Sequence, residues 1–356
     1  MTHRPLLALA ALSLPFLLAS SPRGTELSFG IESGSSVTKA FSSEVSMSLD
    51  DMQMTMNGQE PPMMPEMEMS VSVVNEIEVT DEYVSVRDGM PRMLERTFDS
   101  LASDTEMAME IDMMGQIQSE EVPTSASSDL EGVTVTFEWD GDEQEYVPGF
   151  SEGEGDEELL ENLMEDMDFR SLLPDGEVDV DDEWEVDLAA FTAVLAPGGD
   201  LKLVPEDMDT GMMGMNSNFG SFSDWVGDGV EGEVLATFRG TRESEDGASV
   251  GVIEVVVEIE SAVDLTDMVL EAMDEAELPP EVQDMEIDHM DLEITIEAEG
   301  TLLWDLEEGR AESFELSGDF EFTMDMGMAI SAQGMEMEME QVMEMSGTMT
   351  STATFE

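Results

Sequence analysis

The chain has 356 residues and no Cys, so one large domain or two related ones must be held together by burial alone, which that length permits. Asp and Glu number 86 against 11 Lys and Arg, a formal charge of -75. A surface of that sign repels nucleic-acid phosphates and anionic head groups, and the lack of Cys excludes thiolate catalysis and Cys-containing zinc sites.

Residues 1–22 carry Arg4, an uncharged apolar run from Leu6 to Ala19, and the small residues Ala19, Ser20 and Ser21. That order predicts a secretory signal peptide cut between Ala19 and Gly24, since the run is shorter than the roughly 20 residues of a bilayer span. The expectation is a secreted protein, periplasmic or extracellular, with no membrane span after cleavage.

Residues 25–197 read as a β-rich N-terminal half with two helices. Val45, Met47 and Leu49 occupy odd positions and Met52, Met54 and Met56 even ones, so the phase change at Asp50-Asp51 predicts a bulge. Asn57-Gly58 with Pro61, Pro62 and Pro65 supplies a turn, and Met67, Met69, Val71 and Val73 return as the partner strand. Met93, Leu94, Thr97, Phe98 and Leu101 fall at helical spacing behind Pro91 and predict the first helix. Val133, Val135, Phe137 and Trp139 predict a strand, and Glu152 to Glu158 a Gly- and acid-rich loop. Leu159, Leu160, Leu163, Met164 and Met167 predict the second helix. Val178, Val180, Trp184, Val186 and Leu188 read as one strand, with the acid run Glu177 to Glu183 on its wet face and no Gly for a calcium loop.

Residues 198–232 form a Gly/Met/Asp-rich loop or linker, including Gly-Met-Met-Gly-Met-Asn at 211–216. Residues 233–356 read as a β-rich C-terminal half with one helix. Ile253, Val255, Val257 and Ile259 alternate; Leu265, Met268, Val269, Ala272 and Met273 form the third helical stripe, stopped by Pro279-Pro280. Residues 285–298 alternate with a bulge-like phase change at His289-Met290, and Leu302, Trp304 and Leu306 lead into a turn at Glu307 to Arg310. Phe314 to Ile330 on even positions, a turn at Ser331 to Gly334, and Met335 to Phe355 on odd positions predict a long antiparallel hairpin. The predicted fold is mainly β with a few helices, its long antiparallel strands forming a curved sheet or half-barrel. Met67-Glu68-Met69-Ser70 recurs at 343–346. A duplicated hairpin accounts for that repeat, and biased composition accounts for it too.

The chemistry is sparse. Outside the leader, which holds His3, the one His is His289, set among Asp288, Asp291 and Glu293, a setting that suits a solvated or salt-paired ring better than a general base. Asp209-Thr210-Gly211 matches the aspartic-protease triplet, but that site needs two such triplets and this chain has one. No catalytic residue, cofactor or metal ligand is assigned; only loose association of divalent cations with the acidic surface is expected. Met-x-Met spacing suits Cu(I), yet alternation places these thioethers on the ordinary core face and the usual His and Cys companions are missing. The predicted apolar binding face is Met324, Met326, Met328, Met335, Met337, Met339, Met343 and Met345.

Two phrases carry a resemblance. Gly176-Glu177-Val178 leading to Asp181-Asp182-Glu183-Trp184-Glu185-Val186, and Gly300-Thr301-Leu302-Leu303-Trp304-Asp305 leading to Glu308-Gly309-Arg310, resemble phrases of uncharacterised secreted bacterial β-rich families. Those families resemble in turn the half-barrels that carry lipoproteins and lipids in the periplasm. The resemblance spans residues 130–355, implies a curved antiparallel sheet, and transfers no functional residue. The expected function is a non-catalytic exported binding protein for a lipid-like or apolar small molecule or a protein partner. The alternatives are an acidic structural or cell-surface protein with loose cation binding, and a carboxylate-based hydrolase.

Overall fold

The computed structural model describes residues 24–59, 61, 66–113, 116–153, 155–205, 230–244, 247–266, 269–270, 285–332 and 335–356. The leader at 1–22, Pro62, Pro65, Asp209-Thr210-Gly211, the Gly-Met run at 211–216, Met268, Ala272, Met273, Pro279-Pro280 and Gln333-Gly334 lie outside the described residues.

Alternating sequence makes long strands. The N-terminal half supplies β1 (Ser35–Met56), β2 (Glu66–Arg87), β3 (Met90–Met113), β4 (Gln116–Ser127), β5 (Thr134–Asp140) and β6 (Glu145–Phe150). After the short β7 (Glu183–Glu185), helix α1 (Leu188–Leu195) and β8 (Val204–Pro205) come β9 (Val230–Glu243), β10 (Ser249–Asp264), β11 (Met285–Asp305), β12 (Arg310–Ala332) and β13 (Met335–Phe355). They form one 13-stranded antiparallel sheet in the order β6-β5-β3-β2-β1-β13-β12-β11-β10-β9-β7. The sheet is curved and open, ending at β6 and β7, while β4 pairs with the far part of β3 and with β8. Each half of the chain is a meander, and the two join where β1 pairs with β13 along Lys39↔Phe355 to Met56↔Met339.

The bulges expected at Asp50-Asp51 and His289-Met290 appear as register shifts between Leu49 and Asp51 and between Ile287 and His289. Each extra residue lets the apolar set keep to one face. Asn57 (φ 51) and Gly58 (φ 68) make a tight turn that closes the bridge between Met56 and Gln59, in the left-handed conformations such a turn requires. The hairpin of β12 and β13 is in the expected register, with Met324 opposite Met343 and Met328 opposite Met339.

Three expectations are corrected. Residues 93–101 are strand, not helix: Asp88 (φ 54) and Gly89 (φ 73) turn β2 directly into β3. Glu78 pairs with Ser100 and Val79 with Phe98, so Asp99 bulges, and the core face steps from Leu94, Arg96 and Phe98 to Leu101. That three-residue step imitated helical spacing. Residues 159–167 form no α-helix; a 3-10 turn at Glu157–Leu160 runs into irregular backbone, which leaves the Met164 and Glu165 carbonyls free to accept from Arg96. Residues 178–188 are not one strand: Val178 makes a single bridge to Thr25, Asp181 (φ 70) turns the chain, and the acid run lies largely in that turn. Only Glu183–Glu185 pairs, before Asp187 caps α1 by accepting from Ala190 N at 3.0 Å. Of the third stripe, Val269 is helical and Leu265 is not, among the described residues; the neighbouring Thr266 and Leu270 are helical too.

One face of the sheet is largely apolar. Over its base, residues 24–31 and 157–201 pack Leu27, Phe29, Met167, Phe169, Leu172 and Phe191 into one cluster with Phe41, Leu101 and Phe314. Phe169 is the plug at the seam, with ring centroids 6.0 Å from Phe41, 4.7 Å from Phe314 and 5.7 Å from Phe355. Among the described residues no helix is long and apolar enough to cross a membrane.

Candidate functional site

Following the apolar face away from that base, side chains change from Phe, Leu and Val to Met. On β1 the face runs Val37, Phe41, Val45, Met47, Met52, Met54 and Met56; on β13 it runs back through Ala353, Met349, Met345, Met343 and Met339. Directly opposed residues of an antiparallel pair share a face, so the register extends this surface to both sides. Met343 faces Met52 on β1 and Met324 on β12, Met345 faces Phe322, and Gln341 stands between Met54 and Met326. On the other flank Val71 pairs with Met107 and Met69 with Met109.

Five adjacent strands thus present methionine at one end of the same face. Met52, Met54, Met56, Met67, Met69, Met107, Met109, Met324, Met326, Met328, Met339 and Met343 are all half-buried, whereas the Phe and Leu at the base are buried. Of the residues singled out from sequence, Met345 is buried, at 4 % exposure, and Met324, Met326, Met328, Met339 and Met343 are half-buried. Met335 and Met337 are paired by the backbone register with Ala332 and Ile330. The opposite face is acidic: Glu258, Glu297 and Asp319 stand directly opposite one another across β10, β11 and β12, as do Asp264, Asp291 and Asp325.

His289 belongs to the acidic face. It pairs with Gly327, and its Nε2 lies 3.3 Å from Asp325 Oδ1, with both side chains well exposed. Among the described residues no group of three or more His, Asp or Glu is arranged to hold a metal ion.

Sequence reading missed a cluster of charges inside the base. Lys39, Asp81 and Arg96 are each 0 % exposed. Arg96 clamps Asp81 through Nε to Oδ1 and Nη2 to Oδ2, both at 2.7 Å, and Lys39 Nζ lies 2.5 Å from Asp81 Oδ2 and 2.5 Å from Asp168 Oδ1. Tyr83 donates to Asp168 at 2.5 Å. Asp168 sits on the covering segment, as do Glu165 and Arg170, which pair with each other through Glu165 Oε2. Arg96 Nη1 and Nη2 donate to the Met164 and Glu165 carbonyls at 2.9 and 2.8 Å. The network therefore ties the cover to β1, β2 and β3. Three of the chain's 11 basic residues are spent here.

A signal existed in the sequence. Each of these three strand charges occupies a core-phase position between apolar neighbours two residues away: Val37-Lys39-Phe41, Val79-Asp81-Tyr83, Leu94-Arg96-Phe98. A charge on the buried face of a strand must be paired.

Electrostatics follow from burial. Desolvation alone would raise the Asp81 carboxyl, but Arg96 and Lys39 outweigh it and hold it below its ordinary value. Burial, reinforced by Asp168, pushes the Tyr83 hydroxyl well above its usual range, so it remains a donor. Burial pushes Glu165 up to about 7, against the pull of Arg170. Beside this cluster opens a cleft of about 750 Å³, walled by Leu27, Phe29, Met90 and Tyr146 with Glu165 and Arg170 among its lining.

No protein-family model matches the chain, and no curated protein matches it significantly.

Proposed function

We propose that this is an exported, non-catalytic binding protein whose methionine-bearing end of the sheet receives an apolar, lipid-like molecule. The observation that carries the reading is the half-burial of methionines across five neighbouring strands on the face whose other end is a packed core. Contiguous exposed apolar surface marks binding, and unbranched, polarisable thioethers adapt to ligands of varied shape. The apolar run in residues 1–22 supports export. A charge of -75 disfavours anionic head groups, so the fitting ligand has a neutral one.

The test uses the neutral fluorophore N-phenyl-1-naphthylamine in 0.5 M NaCl. Saturable binding is expected for the parent, with at least a tenfold loss in the double variant Met324→Glu with Met343→Glu, its fold checked by circular dichroism. No saturable binding by the folded parent rejects the reading and favours an acidic structural role.

A further inference from the structure

The charged cluster at the base is short of one positive donor. It holds four carboxylates (Asp81, Glu165, Asp166, Asp168) and three cations (Lys39, Arg96, Arg170), in contact at up to 3.5 Å. Two of the cleft's lining side chains carry a buried polar atom without a hydrogen-bond partner: Glu165 Oε1 and Ser171 Oγ. Glu165 is only 5 % exposed, and native structures rarely leave such a carboxylate oxygen unpaired because the lost solvation is not recovered. Leu27, Phe29, Met90, Tyr146, Leu163 and Leu173 wall the cleft with apolar surface, and Asp88 and Asp175 add negative charge to its lining.

We propose that this cleft is a binding site for a small organic cation, a primary ammonium on a short apolar body, whose N–H groups donate to Glu165 Oε1 and Ser171 Oγ. An ammonium supplies the donors and the positive charge that the cluster lacks, and the apolar walls accept the carbon chain. Arg170 is already engaged elsewhere: its Nη2 is held by Glu165 Oε2, and its Nε lies 3.3 Å from Asp166 Oδ1 and 3.5 Å from Asp168 Oδ2. Burial raises the carboxyl of Glu165, so the cation must displace its proton, and binding tightens as pH rises through about 7. The site is independent of the methionine face, being built on the opposite end of the sheet.

Isothermal titration calorimetry of the full chain with n-hexylammonium chloride in 0.5 M NaCl tests it, with hexan-1-ol as the neutral control. The expected result is saturable one-to-one binding of the ammonium and none of the alcohol. Glu165→Gln should weaken binding at least tenfold, while Glu338→Gln, on the exposed acidic face, should leave it unchanged. Because Glu165→Gln also disturbs the Arg170 pair, Met90→Trp provides a second variant that fills the cleft without touching a charge, and it too should abolish binding. Absence of saturable binding by the folded parent overturns the proposal. So does binding that survives both cleft variants, which means diffuse attraction to the acidic surface, or binding lost only in the Met324→Glu with Met343→Glu variant, which assigns it to the methionine face.

Discussion

Replacing Lys39 by Met keeps an apolar stem of nearly the same length and removes the ammonium with its charge and its donors. The ammonium lies 2.5 Å from both Asp81 Oδ2 and Asp168 Oδ1 and is wholly buried, so water cannot replace it without opening the base of the sheet. Each charge-assisted hydrogen bond is worth about 1.5–3 kcal/mol, and removing one partner from a buried ion pair costs about 3–5 kcal/mol. Asp81 keeps both Arg96 bonds and Asp168 keeps the Tyr83 hydroxyl, so the two contributions do not simply add. The expected loss is about 3–5 kcal/mol, measured by urea unfolding followed through circular dichroism and Trp fluorescence. Adding Asp168→Asn removes one uncompensated charge and should recover part of the loss, giving a measurable coupling between the two sites. A loss below about 1 kcal/mol would refute the view that this network ties the covering segment to the sheet.

The raised carboxyl of Glu165 predicts an inverted pH dependence. Its folded-state value near 7 exceeds the ordinary 4.5, so the folded state favours the protonated form; stability is full below about 4.5 and falls by about 3 kcal/mol as pH rises through 7. The charged and titratable groups facing it are Arg170, Asp166, Asp168 and Tyr146, and Glu165→Gln should flatten the decline seen in urea midpoints between pH 5 and 8. Parallel profiles for parent and variant would count against it. Asp81 and Asp166, held below 3.8, act in the opposite sense: their contribution is lost as pH falls further. A salt response is also expected, because the rows Glu258-Glu297-Asp319 and Asp264-Asp291-Asp325 set like charges directly opposite one another. Raising NaCl from 0.1 to 1 M shortens the screening length from about 10 Å to about 3 Å and should raise the thermal midpoint; an unchanged midpoint would contradict it.

Strand phase was legible wherever the apolar residue was large and the exposed one charged, as along Phe314 to Ile330. Bulges were legible when both flanking runs kept their alternation, as around Asp50 and His289. At Asp99 the bulge fell between Phe98 and Leu101, and the spacing it left was that of a helix. The segment from Leu159 to Met167 misled for a different reason. Its apolar residues do pack against the core, but the backbone is shaped by the demand of Arg96 for the 164 and 165 carbonyls, a long-range contact that no local period encodes. The short helix Leu188–Leu195 was overlooked although Asp187 stands at its N-cap, because Trp184 and Val186 extended an apparent alternation into it. The methionine face was readable as a face; that it lies half-buried beyond the packed base depends on where the cover of residues 157–201 stops.

The most direct test of the binding role of that face is a methyl NMR titration of protein labelled with 13C at the methionine methyl groups, using N-phenyl-1-naphthylamine as the ligand. The resonances of Met52, Met54, Met324, Met326, Met339 and Met343, half-buried on adjacent strands, should shift together and saturate, while that of Met167, 0 % exposed in the packed base, should stay in place. Saturable binding that leaves the face methionines unmoved, or no saturable shift in any methionine, would contradict the account.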